Sequence, residues 1–537
     1  DFKFSNIDTL MDVSERYSTL INNEPHAKTR ELRGGTFSRR LEQLLTGCLF
    51  ALAFCAPHSI AATQTAWVLG LVIWVARLAV RPRLKVHRTP IDYALLGFFI
   101  LTLISALLSY NPEISIGKLR AASLFTIVYL VAENVISRRT VLLLALTLVA
   151  SCMINVFYTL GGWAVGSGVK IAATTVESPL RSLGLREGDT VLEIDGRPLR
   201  DLDELHRALA AENGAAARGR VYHLELLIDA EWPRGRLLPG TTAAEQLGVV
   251  SWSRGRDQRA AGFYGHYTTY AEVLQLIGSL ALGLFVARQR RRLWLGWLLA
   301  ASAAFIGIAL LLTVTRASWL GFLVSGGVIM LAGATSRRTL LFVALGAALV
   351  IPVGLYVLRQ KRQVGFFDRK DGSITWRGTV YREGLEILVK EPRHLLIGVG
   401  MDSLKRRWRE WGMFDEGRLP IGHLHSTPLQ LAFERGVPAL CAWLVLLFIY
   451  ARTLWRLSRA AAIGDQRTVA DDGWAGRGLA LGALGGLAGF FVSGLVHYNL
   501  GDSEVAMVFY LIMGLALAWA RLTSQASPLI GNASPPA

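Results

Sequence analysis

Apolar runs long enough to form membrane-crossing helices recur along most of this chain. A bilayer interior of roughly 30 Å needs about 20 residues of helix, and only segments that satisfy their own backbone hydrogen bonds are tolerated there. The runs therefore predict an all-α polytopic membrane protein with about 12 transmembrane helices. The predicted spans lie near 44–63, 65–80, 91–109, 121–136, 140–163, 268–287, 293–314, 318–335, 339–358, 428–451, 476–497 and 504–521.

Composition and the placement of charge support this class. Of the 537 residues, 52% are hydrophobic and 18% are charged. The net charge of +17 would suit nucleic-acid binding, but the Lys and Arg residues gather in alternate loops, as the positive-inside rule requires. We therefore expect membrane lipid rather than nucleic acid as a partner, with both termini in the cytoplasm. The basic loops are 81–88, 137–139, 288–292, 336–338 and the segment with Arg452, Arg456 and Arg459.

Two loops on the opposite side, near 164–267 and 359–427, are much longer than ordinary connections between packed elements. They divide the chain into blocks of spans and two extracytoplasmic regions, where we expect the function to lie. The predicted parts are a cytoplasmic N-terminal segment at 1–40, helices 1–5 at 41–163, a first insert at 164–235, an Arg-rich segment with helices 6–9 at 236–358, a second, helical loop at 359–427, and helices 10–12 with the tail at 428–537.

The first apolar segment also resembles a cleaved signal peptide. Its sequence LLTGCLFALAFCAPHSIAATQ follows Arg39 and Arg40 and ends in small residues. Cleavage would remove one membrane crossing, and the Arg-rich end of the next helix would then face away from the cytoplasm. We therefore favour a retained span. All four cysteines lie in predicted spans, which indicates apolar packing rather than a disulfide or a metal site. They are Cys48, Cys55, Cys152 and Cys441.

The first long loop changes to a strand-like pattern from about 168 to 229, around the helix-like DLDELHRALAAE. This predicts a small soluble α+β insert. Its core, SPLRSLGLREGDTVLEIDGRPLRDLDEL, resembles the PDZ domain. The resemblance implies capture of an extended peptide by strand addition. The alternative is a spacer that covers the membrane domain.

Arginines recur at the predicted outer boundary, where the positive-inside rule predicts few. Arg254, Arg256 and Arg259 precede a Gly-aromatic-Gly-His turn, and Arg316 stands at the outward end of two apolar helices. One such residue alone could extend its guanidinium to the interface. Arg377 and Arg382 lie on or near an amphipathic helix in the second long loop. Several converging arginines indicate an anionic ligand.

Two histidines stand just before an apolar helix in GHLHSTPLQLAFERG. We predict Thr427 as N-cap, Pro428 at the first helical position and Gln430 completing a capping box. A helix N-terminus disfavours imidazolium, so His425 should stay neutral and able to accept a proton. A zinc site is the rival interpretation of His-x-His, but no third ligand is spaced nearby. A purely structural histidine is the other alternative.

Four motifs, in this order, resemble the O-antigen ligase and polymerase superfamily of polytopic glycan transferases. Arg259 precedes a Gly-Phe-x-x-His turn, a Thr-Arg-Ala-Ser-Trp element contains Arg316, Arg377 precedes Pro-to-Gly-x-Gly, and His-Ser precedes Gly at a spacing typical of the family. The matched residues are Arg259, Gly262, Phe263, His266, Thr313, Arg316, Trp319, Arg377, Pro392, Gly398, Gly400, His425, Ser426, Gln430, Glu434 and Gly436.

The resemblance implies an undecaprenyl-pyrophosphate-linked glycan as donor and a lipid A core sugar as acceptor, at the periplasmic face of a bacterial inner membrane. Its leaving group needs guanidinium or metal to neutralise the developing charge. Arginines are present and a convincing acidic metal cluster is not, so we expect a metal-independent, inverting transfer without cofactor. Arg259, Arg316 and Arg377 would hold the pyrophosphate, and His425 would be the base.

His266 and His423 are further candidates for substrate contact, and His497 with Asp502 are expected to border the same cavity. Polymerisation of lipid-linked repeats and glycan transfer to a protein use the same chemistry and remain alternatives. A transporter or a PDZ-bearing scaffold would explain the spans but not the outward arginines. Transporters also usually place polar groups on broken helices near the bilayer midplane.

Overall fold

A computed structural model describes residues 36–80, 87–211, 216–223, 226–288, 293–333, 372–463 and 473–526, with isolated positions between 341 and 356. The predicted N-terminal segment, the predicted span at 339–358 and the end of the tail lie wholly or mostly outside these residues. Membrane helices, one inserted β-sheet and a helical loop make up the described parts.

Nine helices in the described ranges are long and apolar enough to cross a membrane. They are Ile60–Ala79, Pro112–Asn134, Arg138–Val165, Tyr267–Ala287, Leu293–Leu312, Arg316–Gly333, Val437–Ala460, Gly473–Gly494 and Ser503–Gln525. The polytopic class is confirmed, whereas the count of twelve is not. Asp92–Leu107, predicted as a span at 91–109, has only 16 residues.

Two predicted spans have the wrong limits, each because a single residue interrupts the helix. The helix Thr36–Cys55 ends before Pro57, which lacks an N–H, so the predicted span at 44–63 is divided and the next helix begins at Ile60. The predicted span at 428–451 is divided at Gly436, whose φ of 84° is left-handed.

The helix Tyr267–Ala287 is the centre of the membrane domain and is buried along most of its length. It packs against the glycine-rich helix Gly473–Gly494. A Cβ added at Gly283 would lie 2.2 Å from the backbone nitrogen of Gly482. The two backbones therefore touch, as small residues allow in lipid, where apolar burial does not drive helices together.

This packing predicts that Gly482→Ala destabilises the protein while Gly486→Ala on the same helix does not. The new Cβ would lie 2.7 Å from the Cα of Leu280 at position 482, but no closer than 3.6 Å to any atom at position 486. Overpacking typically costs ~1–3 kcal/mol. We expect a lower unfolding temperature in detergent for Gly482→Ala alone. Equal temperatures for both variants would contradict the close contact.

The insert is an antiparallel sheet in the order β5-β4-β2-β1-β6, with β3 paired to β2. The strands are β1 Ser167–Thr174, β2 Thr190–Ile194, β3 Arg197–Pro198, β4 Ala217–His223, β5 Leu226–Trp232 and β6 Val249–Gly255. The helix Leu202–Ala210 begins at the N-cap Asp201. The sheet extends past the predicted boundary at 235, because β6 returns to pair with β1.

The second long loop forms its own small core beside the membrane helices. The helices Gly372–Lys390 and Pro392–Ile397 lead into a segment held to the short helix Thr427–Arg435 by two backbone hydrogen bonds. The Val399 N–H donates to Phe433 O at 2.9 Å, and the Gly400 N–H donates to Glu434 O at 2.8 Å. The loop thereby supports the C-terminal end of the helix that follows His425.

Candidate active site

A cavity of about 570 Å³ lies where the loop meets the ends of the membrane helices. All six residues predicted to act on substrate line it, although they come from distant parts of the chain. They are Arg259, His266, Arg316, Arg377, His423 and His425.

Arg259 links two chain segments at the wall of this cavity. Its Nε donates to Thr313 O and its Nη2 to Val314 O, each at 2.8 Å. Its guanidinium carbon lies 3.4 Å from the centroid of the Tyr267 ring. The turn it holds is strained, since Val314 has a φ of 52°. The helix Arg316–Gly333 begins directly after this turn, so Arg259 helps to fix where Arg316 stands.

Arg377 enters the cavity from the helix Gly372–Lys390, and its Nη1 donates to Ser373 Oγ at 2.6 Å. Arg382 on the same helix is exposed, 3.9 Å from Glu386, and does not line the cavity. Arg256 also points elsewhere, donating to Ala164 O at 3.0 Å. The structure therefore separates the arginines that reach the cavity from those that do not.

The predicted cap of the helix after His425 is wrong in its details. The helix begins at Thr427, one residue before the predicted first position, and Ser426 is the N-cap, which accepts from the Leu429 N–H at 3.5 Å. Thr427 donates instead to Asn499 Oδ1 at 2.8 Å, and Gln430 Oε1 accepts from the Leu424 N–H. The side chains of Thr427 and Gln430 therefore bond to Asn499 and Leu424, and they do not form the predicted capping box.

The backbone of His425 is left-handed, with a φ of 46°, which folds its ring against two neighbours. The ring centroid lies 4.0 Å from that of His423 and 4.7 Å from that of Trp376. The His425 N–H donates to Nδ1 of His423 at 3.1 Å, and Tyr381 donates to the His425 carbonyl at 2.9 Å. Backbone and ring are thus both fixed.

Burial is the main cause of the lowered pKa of both imidazoles, which are therefore neutral at pH 7. It lowers the pKa of His425 to about 2, with further lowering by His423 and Arg377. It lowers the pKa of His423 to about 4, helped by Lys405. Burial therefore acts in the same direction as the expected effect of the helix end.

Two acidic residues also line the cavity, and one of them, Glu272, was not predicted as a site residue. Glu272 accepts from Nδ1 of His497 at 3.0 Å, and Asp502 accepts from Thr269 at 2.9 Å. Burial lowers the pKa of His497 to about 3 and raises that of Asp502 to about 7. Glu272 is a lone acid within an apolar span, a feature that by itself marks a functional candidate.

Among the described residues, no group of three or more His, Cys, Asp or Glu side chains could hold a metal ion. The His-x-His pair therefore lacks further ligands in that part of the chain. Nδ1 of His423 is already an acceptor for the His425 backbone. The arrangement offers guanidinium donors and a neutral imidazole around one space, which suits binding of an anion beside a proton acceptor.

Two stretches of the chain match known protein families. Residues 301–444 match the profile of the O-antigen ligase family, and residues 171–220 match that of a PDZ domain. The first match includes Arg316, Arg377 and His425, while Arg259 lies ahead of it. A search of curated proteins with the whole chain gives no significant match. The resemblance is thus confirmed for these regions: this polytopic membrane protein contains a stretch that matches the O-antigen ligase family and, ahead of it, a stretch that matches a PDZ domain.

Proposed function

We propose that this protein transfers a glycan from undecaprenyl pyrophosphate to an acceptor hydroxyl, with a lipid A core sugar as acceptor. The observation that carries the proposal is the convergence of Arg259, Arg316 and Arg377 with the neutral His425 on one cavity. A diphosphate needs several cationic donors, and an attacking alcohol needs a base. One space offers both.

In the proposed reaction the acceptor oxygen attacks the anomeric carbon while its proton passes to His425. The bond from that carbon to the phosphate oxygen breaks, and undecaprenyl pyrophosphate leaves with the electron pair, held by the guanidinium groups. Attack from the opposite face inverts the anomeric centre. His266 and His423 contact substrate. The donor's negative charge offsets the field of Arg377 and raises the pKa of His425, so the base strengthens when donor is bound.

The proposed reaction proceeds without a metal ion, because guanidinium groups neutralise the leaving diphosphate. We therefore expect EDTA to leave the rate of glycan transfer unchanged in proteoliposomes. The assay follows release of undecaprenyl pyrophosphate and labelling of lipid A core. A matched sample with EDTA and excess Mg²⁺ controls for chelator effects on the lipid. Loss of transfer that Mg²⁺ restores would contradict the metal-free mechanism.

The same assay tests the proposed function as a whole. Protein that is folded and reconstituted, but that neither releases undecaprenyl pyrophosphate nor labels any acceptor, would overturn it. We place the cavity at the periplasmic face of the inner membrane, with both termini in the cytoplasm, because the basic loops alternate with the long ones. Transfer to acceptor supplied only on the cytoplasmic side would contradict this orientation.

A second candidate acceptor is a protein hydroxyl. It is favoured by the match to a PDZ domain, a module class that binds extended peptides by strand addition. Polymerisation of lipid-linked repeats differs from the main proposal only in the acceptor. The identity of the labelled product in the transfer assay separates the three.

A further inference from the structure

A second cavity, of about 170 Å³, adjoins the first. The two share His423, Tyr498 and Asp502 as lining residues, so they meet along these three residues. The second cavity also contacts Lys118, near the start of the span Pro112–Asn134. We call it the Lys118 pocket.

The polar groups of the Lys118 pocket are held in place by one another. The Asp402 carboxylate lies 2.7 Å from Nζ of Lys118 and 3.2 Å from Nζ of Lys405. The Asp402 N–H donates to Glu434 Oε1 at 2.9 Å, and Tyr498 donates to Glu434 Oε2 at 3.3 Å. Asp402 keeps a left-handed backbone, with a φ of 57°, to make these contacts. Such strain persists where surrounding contacts enforce it.

The mixture of donors and acceptors in the pocket indicates its ligand. Three basic and three acidic side chains line it: Lys118, Lys405, Arg435, Asp402, Glu434 and Asp502. A phosphate site would leave its cations free to bind the anion, whereas the Asp402 carboxylate here already pairs with Lys118 and Lys405. An extended peptide needs an exposed strand edge, and none of the lining residues lies on a strand. Closely spaced donors and acceptors match the neighbouring hydroxyl groups of a sugar ring, since each hydroxyl both donates and accepts.

We propose that the Lys118 pocket binds the acceptor as a neutral sugar ring, whose attacking hydroxyl reaches the first cavity past His423. This inference rests on the proposed glycan transfer and names the acceptor class as a saccharide rather than a protein. Lys118 lies ahead of the matched ligase domain at 301–444. Acceptor recognition therefore combines the ligase domain with an earlier part of the chain.

The test uses Lys118→Met and Lys405→Met, which keep much of the apolar stem and remove the ammonium group. The matched control is Lys390→Met, at an exposed helix end outside both cavities. Loss of a hydrogen bond to a charged group weakens binding substantially. We therefore expect each pocket variant to raise the KM for a core oligosaccharide acceptor about tenfold. The KM for the undecaprenyl-pyrophosphate donor should stay within about twofold, as should both constants in the control.

Binding of the same core oligosaccharide is measured separately by saturation-transfer NMR, with protein in nanodiscs and no donor present. We expect a signal for wild type and its loss in Lys118→Met. If wild type transfers glycan but the pocket variants keep the acceptor KM and the NMR signal, the pocket assignment is wrong and the proposed function stands. If wild type shows no transfer yet binds the oligosaccharide through Lys118, the proposed function fails and the sugar pocket remains. Transfer to a Ser-containing peptide without competition by the oligosaccharide would also overturn the assignment.

Discussion

His425→Ala should abolish most glycan transfer while leaving donor binding intact. A positioned general base typically contributes ~10²–10⁴-fold to the rate, and His425 is the neutral imidazole whose backbone and ring are both fixed in the cavity. The measurement is the initial rate of undecaprenyl pyrophosphate release in proteoliposomes at saturating donor. We expect kcat to fall at least ~100-fold with little change in the KM for donor.

The left-handed backbone at this position makes a second variant useful. Asn adopts such a conformation more readily than Ala, so His425→Asn removes the base with less backbone strain. A matched control is His87→Ala, because His87 lies 3.1 Å from Glu133 and lines neither cavity. Transfer within a few-fold of wild type by both folded His425 variants would remove this residue from the mechanism.

The membrane fold was largely predictable because lipid imposes strict rules on length and polarity. Nine of the predicted spans correspond to helices of suitable length in the described residues. The break at Gly436 shifted the start of one of these nine, and the break at Pro57 divided a further predicted span. β6 was not predicted as part of the insert, because its partner β1 lies far back in the chain. Strand pairing of this kind leaves no local periodic signal.

The candidate site could be predicted in its residues but not in its connections. The motifs name Arg259 and Arg316 separately, yet the hydrogen bonds from Arg259 to the turn before Arg316 are visible only in three dimensions. Glu272 escaped notice because one acid in an apolar helix belongs to no motif. Thr427 was misassigned since its hydroxyl bonds to Asn499, a tertiary partner that no capping rule includes.

Arg377→Gln should lower kcat/KM for the donor by ~100- to 1000-fold, the usual effect of removing one donor that stabilises developing charge. Arg377→Lys should show a smaller loss, because it keeps the charge but not the two-pronged geometry of the guanidinium. The matched control is Arg382→Gln on the same helix, whose exposed side chain lies beside Glu386. Equal rates for Arg377→Gln and Arg382→Gln would exclude Arg377 from the diphosphate site.

Removing Arg377 has a second effect that opposes the first. Its positive charge lowers the pKa of His425, so Arg377→Gln should raise that pKa and make the imidazole a stronger base. The logarithm of the rate of general-base catalysis changes by only a fraction of the change in the pKa of the base. Loss of stabilisation of the leaving group, in contrast, raises the activation barrier by its full amount. The net rate should therefore fall. At the same time the acid limb of the pH–rate profile should move to higher pH, because protonation of His425 now begins earlier. A fall in rate without that shift would mean that Arg377 acts on the diphosphate but does not share a field with His425.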